Sequence, residues 1–426
     1  MVNDDMSLFS GDPVLTSLRN LNIEALHHGI QHSVPAELLD APVPSYKVSN
    51  LRYSPSKKMI VGMTSEVSQR PISLRIFPRD ALQNRLDKAR RSHPDHSFLM
   101  DELNAIAWVF PGERKMNLDM VANRSRLAAV IREHRGYELK DVELLHFVPE
   151  HTYTAKVTGV RSGGQALVEY IKIYYDDQGL TTSRIMRELL PQLDGARIRI
   201  PDDVSYVAES RLLIQSEVMR DASRSLSYHG AASALAAFHG LSAASAPLRE
   251  DDVIAEHTAV IELVRSVLPA QLGDVVAASS NVQTALLELE QPTPVLVHGD
   301  AHLGNLYPIA NGRTGVIDLD RVAWGRADDD IASFLAFAIW LRLRNRHDPK
   351  RVLGELPSFV AIYNRMAMQP VSCRSVYLRL AHKLIAERVR RGIARGKVSG
   401  ASEILAFVRI AEQCVDAARH CDRRIS

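Results

Sequence analysis

An aspartate, an asparagine five residues on and a second aspartate thirteen residues beyond that stand in Val297-His298-Gly299-Asp300-Ala301-His302-Leu303-Gly304-Asn305 and Val316-Ile317-Asp318-Leu319-Asp320, each beside a short apolar run. Asp300 follows His298-Gly299, where glycine permits a tight backbone, and a carboxylate held there can act as a base. Asn305 offers a neutral amide oxygen and Asp318 a carboxylate, hard ligands that suit Mg²⁺ better than a soft metal. A base beside two oxygen ligands for Mg²⁺ is what transfer of a phosphoryl group from ATP needs. That reaction asks the protein for positioning and for cations on the phosphate charge rather than for covalent chemistry. His302, alone between aspartates, lacks the ligand count of a zinc site. His298 and His302 are expected to hold the loop by hydrogen bonds, and Asp320 to assist from the strand face it shares with Asp318. Each residue taken singly is an ordinary turn former; the ordered set at this spacing is not.

Something must hold these residues in place, and the chain is long enough for two or three domains at 426 residues. An apolar fraction of 46% and a charged fraction of 24% are those of a globular protein with sizeable cores. The 52 basic and 50 acidic residues leave a net charge of +2, without the basic excess of a nucleic-acid binder. Cys373, Cys414 and Cys421, sparse and without CxxC spacing, give neither a disulfide framework nor a zinc site and fit a reducing, cytoplasmic compartment. The acidic start has no apolar signal segment. The longest apolar run, Ile331 to Leu341, is far short of the roughly 18 to 20 residues needed to span a bilayer and reads as a core helix. No membrane association is expected.

Residues 45–140 read as short strands with a helix: Val48–Arg52, Met59–Ser65 and Ile72–Phe77, then a polar helix over Arg79–Arg91, a strand at Ile106–Phe110 and a helix from Arg124 to His134. Residues 141–218 repeat that texture, with strands at Val142–Phe147, Thr152–Val160 and Ala166–Tyr175, a helix at Thr182–Leu190, and strands at Val204–Ala208 and Leu212–Val218. Leu51-Arg52-Tyr53-Ser54-Pro55 echoes Leu145-His146-Phe147-Val148-Pro149, and Leu74-Arg75-Ile76-Phe77 echoes Ile171-Lys172-Ile173-Tyr174, so the two segments are candidates for one strand order. Residues 1–44 are a helical or flexible lead-in. Residues 219–426 are mainly helical, interrupted from Pro294 to Asp320 by short strands around the motif loop. Catalytic side chains on a loop carried by rigid elements are the expected arrangement.

HGDAHLGN with VIDLD resembles the aminoglycoside phosphotransferase and choline kinase-like family, a branch of the protein-kinase-like fold. The resemblance implies an α+β, two-lobed fold, with an antiparallel β N-lobe and a mainly helical C-lobe, here preceded by a small α+β N-terminal domain. It makes Asp300 the catalytic base, and Asn305 and Asp318 the Mg²⁺ ligands. Gly325-Arg326-Ala327-Asp328-Asp329-Asp330-Ile331-Ala332 resembles the family's downstream pattern, with Asp330 bracing the loop. Lys172 stands where a strand lysine holds the α- and β-phosphates of ATP, on a strand face with Val168, Tyr170 and Tyr174; Lys156 is the alternative lysine. Glu188 stands on the following helix as partner of Lys172, or equally as a surface partner of Arg184. The phosphate-covering loop falls at Pro149-Glu150-His151-Thr152, without a GxGxxG. The adenine-reading hinge falls at Gln215-Ser216-Glu217-Val218. Leu235-Ala236-Ala237-Phe238-His239 resembles the family's LAxLH helix, with His239 structural.

These readings imply an enzyme that uses ATP and Mg²⁺ to phosphorylate a hydroxyl of a small molecule, such as an aminoglycoside, a sugar or an amino alcohol. The alternative is a catalytically idle nucleotide-binding or scaffold protein. Carboxylates facing the cleft, for which Asp328, Asp329 and Glu387 are candidates, would suit an aminoglycoside. The basic run Lys383, Arg388, Arg390, Arg391, Arg395 and Lys397 suits either an anionic acceptor or a solvated helix face. The N-terminal domain is the candidate surface for a homo-oligomer.

Overall fold

The computed structural model describes residues 6–67, 70–250, 252–397 and 400–422. Its first sheet is built from β1 (Tyr46–Ser54), β2 (Lys58–Ser65), β3 (Ile72–Ile76), β4 (Ser97–Met100) and β5 (Ala105–Val109), all antiparallel, in the spatial order β1-β2-β3-β5-β4. Every residue of β3 and β5 is buried because helices cover both faces. Leu82, Leu86 and Ala89 of helix Arg79–Ser92 pack with Phe77, Ile106 and Trp108 on one face. Helix Ile23–Ser33, capped by the Asn22 side chain on the Ala25 amide, packs Leu26 and Ile30 into the core that takes Ile72, Leu74 and Ile76. Strand β4, Ser-Phe-Leu-Met, is too short to show a period in sequence.

A second sheet follows, with β6 (Tyr137–Val148), β7 (Thr152–Arg161), β8 (Ala166–Tyr174), β10 (Val204–Val207) and β11 (Leu212–Ser216); the two-residue β9 (Ile198–Arg199) comes before β10 in sequence but pairs outside this sheet. Its spatial order, β10-β11-β8-β7-β6, is that of the first sheet: three antiparallel strands, a helix (Gln178–Leu189), then two strands of which the last pairs with the third. The correspondence extends to single residues. Arg75 in β3 pairs with the third residue of β2 and the second of β5, Ile60 and Ile106. Lys172 in β8 pairs with the third residue of β7 and the second of β11, Thr154 and Leu213. Left-handed residues recur at matching turns, Ser56 with Glu150 and Asn104 with Arg211. The Phe77 amide donates to the Asn104 carbonyl as the Tyr174 amide donates to that of Arg211. The echo in sequence therefore corresponds to one topology used twice, with Arg75 in the place of Lys172.

The first unit grips the second through a buried charge. Arg75, fully buried, lies 3.9 Å over the Trp108 ring, bonds Glu113, and sets its Nε 3.1 Å from Oε1 of Glu150. Lys58 and Arg114 reach the same Glu150 carboxylate at 3.3 and 2.8 Å. Burial alone would raise the Glu150 carboxyl; these cations, Arg75 first, hold it below its usual value. Glu150 sits in the turn between β6 and β7, whose neighbouring residues Val148, His151 and Thr152 line the cleft described below.

The helical lobe is organised around helix Ala327–Arg344, whose run from Ala327 to Ala336 is buried without a break, as its unperiodic apolar sequence requires. Helices Tyr228–His239, Lys350–Asn364 and Cys373–His382 pack on it, and Val253–Val267, Leu272–Leu287 and Ala401–Asp422 complete the lobe. Between Cys373–His382 and the short helix Arg390–Ala394 the backbone runs as a π-helix over Lys383–Val389. Among the described residues no helix is long and apolar enough to cross a membrane, and the three cysteines are free thiols. Between helices Leu272–Leu287 and Ala327–Arg344 lie four short strands: β12 (Val295–Val297), β13 (Leu306–Pro308), β14 (Thr314–Val316) and β15 (Ala323–Gly325). β12 pairs with β15, β13 with β14, and β14 runs parallel to β9.

Candidate active site

The loop after β12 is fixed by one buried carboxylate. Asp330, 1% exposed at the start of helix Ala327–Arg344, accepts from the backbone amides of His298 at 2.6 Å and Gly299 at 2.8 Å. It also bonds Nε2 of His239 at 3.1 Å, whose Nδ1 meets the Tyr363 hydroxyl at 2.8 Å. A carboxylate only accepts, so His239 carries its proton on Nε2 and its Nδ1 accepts from Tyr363. Inside the loop, Nδ1 of His298 accepts from the Asp300 amide at 3.3 Å, which leaves Nε2 to donate to the Ile317 carbonyl at 2.9 Å. His298 thus ties the Asp300 turn to the residue before Asp318. His302 accepts the Gly304 amide on Nδ1 at 2.9 Å and stacks on Phe337 with centroids 4.6 Å apart. Burial pushes its pKa down, against the pull of Asp300.

Gly299 has φ +76°, and a Cβ built on it would collide with the Arg321 carbonyl oxygen. Both facts demand glycine, so Gly299→Ala is expected to displace Asp300. A misplacement of about 1 Å costs on the order of 10² in rate. Steady-state kinetics should show that loss in kcat with nucleotide binding intact, and an unchanged kcat would contradict it.

Asp318 is itself left-handed, at φ 61° and ψ 58°, a conformation that Asp tolerates better than most residues. The three residues after it form a 3-10 turn (Leu319–Arg321) rather than a strand. Asp320 therefore reaches the site by a turn and not by strand alternation, a correction to the shared face expected from its spacing. Lys172 bridges the two acids, with Nζ 2.5 Å from Oδ1 of Asp318 and 2.9 Å from Oδ2 of Asp320. Burial alone would lower the lysine, but Asp320 and Asp318 more than offset it and its pKa lies above the usual value. Burial alone would raise Asp318, but Lys172 holds its carboxyl below the usual range. The Tyr174 hydroxyl at 2.8 Å and Thr182 Oγ1 at 3.3 Å also donate to Oδ1 of Asp320.

These groups open on one cleft of about 590 Å³ between the second sheet and the helical lobe. Lys172, Gln215, Glu217, Val218, Asp300, Asn305, Asp318 and Asp320 all line it. Val218, Tyr307 and Ile317 form an apolar floor backed by Ile309, and the Tyr307 hydroxyl donates to the Val218 carbonyl at 2.8 Å. Tyr170 donates to Glu217 at 3.1 Å. Asn305 donates its Nδ2 to the Asp300 carbonyl at 3.1 Å, which turns its amide oxygen away from that bond. One amide oxygen and one carboxylate half open to solvent, already facing an ammonium group, are donors that fit a Mg²⁺ ion completed by phosphate oxygens. Among the described residues no three His, Cys, Asp or Glu side chains cluster as a metal cage.

Three expectations are corrected. Glu188 does not meet Lys172: its carboxylate accepts the Ser245 hydroxyl and, at 3.1 Å, the Ser245 amide, because it faces the helical lobe from the far side of its helix. Asp328, Asp329 and Glu387 do not face the cleft, being absent from its lining. All three are spent in ion pairs, Asp328 with Arg326 at 2.8 Å, Asp329 with Arg379 at 3.6 Å, and Glu387 with Arg391 at 2.7 Å. The basic run is no solvated face either, since Lys383 is 3% exposed and Arg395 lines the cleft. Sequence reasoning assigned no role to Tyr307, Gln178 or Arg321, which line the cleft as well. Arg321, next to Asp320, was the one with a positional signal.

Two aspartates, an asparagine and a strand lysine line one cleft between a β lobe and a helical lobe, and those two lobes are of the protein-kinase-like fold. Residues 178–363 match the model of the phosphotransferase enzyme family, and the likeness read from HGDAHLGN and VIDLD holds over that segment. Among solved structures the chain is similar to an amicoumacin kinase in complex with AMP-PNP and Ca²⁺, at 14% identity over 71% of this chain and 96% of that one, TM-score 0.48. It is similar also to a spectinomycin phosphotransferase in complex with ADP and spectinomycin, at 12% identity over 70% and 98%, TM-score 0.47. A choline kinase from Streptococcus pneumoniae matches at 12% identity over 69% and 98%, TM-score 0.44. No curated protein matches the chain.

Proposed function

We propose that the protein transfers the γ-phosphoryl group of ATP to a hydroxyl of a small molecule. The observation that carries this reading is the convergence of Asp300, Asn305, Asp318 and Lys172 on one cleft. Asp300 orients the acceptor hydroxyl and takes its proton. Lys172 exchanges its carboxylate partners for the nucleotide phosphates, and Val218, Tyr307 and Ile317 receive the base. Asn305 and Asp318 would hold Mg²⁺, which when bound neutralises phosphate charge. His298, His302 and Asp330 keep the loop in register, and Asp320 positions Lys172 through its own ion pair.

The test is ATP consumption with Mg²⁺ across sugars, amino alcohols and antibiotics, with Lys172→Met beside the wild type. Losing charged hydrogen bonds worth about 1.5–3 kcal/mol should weaken nucleotide binding by roughly 10- to 100-fold. Undiminished ATP affinity in the variant would remove Lys172 from the site. One observation favours the idle reading: Glu188 is engaged by Ser245, so the lysine–glutamate pair of active kinase-like sites is not formed. Nucleotide binding without turnover over the whole panel would support that second reading.

A further inference from the structure

The end of the cleft that holds Asp300 is crowded with cations. Arg391 sets its Nη1 3.4 Å from Oδ1 of Asp300 and 2.7 Å from Oε1 of Glu387. Arg321 and Arg395 line the cleft together with Asp300. Arg388 lies 5.3 Å over the Phe337 ring, on which His302 of the catalytic loop stacks, and its buried Nε has no hydrogen-bond partner among the described residues. The π-helical run Lys383–Val389 carries Glu387 and Arg388 and leads directly into the turn with Arg391. Such a wide turn is held against the preference for an α-helix and is frequent at functional sites.

The acids nearby do not balance these charges. Glu387 is shared between Arg391 and Lys383. Among the described residues no carboxylate lies within ion-pairing distance of Arg321, Arg388, Arg395 or Lys397, whereas Arg391 has two. Burial first, then the charges of Arg391 and Arg321, push the Arg395 guanidinium down to about 10, and burial with Arg395 and Arg344 lowers Lys397 in the same direction. These cations repel one another, and a bound anion would relieve them. A polycationic acceptor would meet the reverse: its charges would be repelled by these cations, and the carboxylates that could greet it are already paired.

We propose that the acceptor is itself an anion, a small hydroxyl compound bearing a phosphate or carboxylate group. That group is held by Arg391, Arg395 and Arg321 while its hydroxyl lies against Asp300. This rests on the phosphotransferase reading above and names its substrate class. In the step, the hydroxyl oxygen forms a bond to the γ-phosphorus and the bond from that phosphorus to the β–γ bridging oxygen breaks. ADP leaves with the electron pair, and the hydroxyl proton passes to the Asp300 carboxylate.

The experiment is a three-armed panel with ATP and Mg²⁺: glucose 6-phosphate and glycerate, glucose and glycerol, kanamycin and choline. Phosphorylation and thermal stabilisation are expected in the first arm only. Arg395→Ala should raise the KM of the anionic acceptor at least tenfold, leave the KM of ATP within about twofold, and be partly rescued by Arg395→Lys. A change confined to the KM of ATP would assign the cations to the nucleotide and overturn the proposal. Turnover in the neutral or cationic arm would overturn it as well, while leaving the phosphotransferase reading intact. Absence of nucleotide binding, or binding with neither turnover nor stabilisation in any arm, would overturn both.

Discussion

An Asp300→Asn variant is expected to fold and bind nucleotide as the wild type does and to lose roughly 10² to 10⁴ in kcat, the usual contribution of a positioned base. The prediction is sharp because the Asp300 backbone, rather than its carboxylate, holds the loop. Its amide donates to His298 and its carbonyl accepts from Asn305. Among the described residues the side chain meets only Arg391, at 3.4 Å, through a contact that an amide oxygen can still accept. The substitution therefore removes a base and little else. Single-turnover measurements would separate the chemical step from binding. Normal turnover would exclude Asp300 from proton transfer, and loss of the native fold would make it a structural residue instead.

The fold was legible where a period or a spacing survives locally. The strand-helix-strand order of both sheets, and the helix over Ile331 to Leu341, follow from alternation and from apolar run length. So does the loop, since His298, Asp300, Asn305 and Asp318 lie within one short stretch and have no distance to travel. What stayed hidden was set by side-chain direction and by long-range pairing. Glu188 lies on the expected helix but faces Ser245, which the chain brings in from 57 residues away. The cations from Lys383 to Lys397 look in sequence like a solvated stripe. The π-helical turns rotate them off α-helical spacing and into the lobe, a backbone change that no residue pattern announces. The engagement of Glu150 by Arg75 was equally out of reach, since it depends on how two copies of one topology dock.

Asp330→Ala should cost about 3–5 kcal/mol, the loss expected when one member of a buried charged network is removed, together with nearly all activity. The carboxylate accepts two backbone amides and a histidine, at 1% exposure. Alanine would leave those donors buried and unpaired, and water cannot replace the lost oxygens without opening the loop. The same carboxyl makes the effect depend on pH. Burial alone would raise it, but His239 and the His298 amide hold it below the usual carboxylate range. A depressed folded-state pKa contributes stability that is present above the unfolded value and lost as pH falls through the folded one. Chemical denaturation should therefore show the largest gap between wild type and variant at neutral pH, and a smaller one below about pH 4. A variant of equal stability at pH 7 that retains kcat would mean that the motif loop stands without its brace. The placement of Asp300 would then have to be explained by His298 and the Gly299 turn alone.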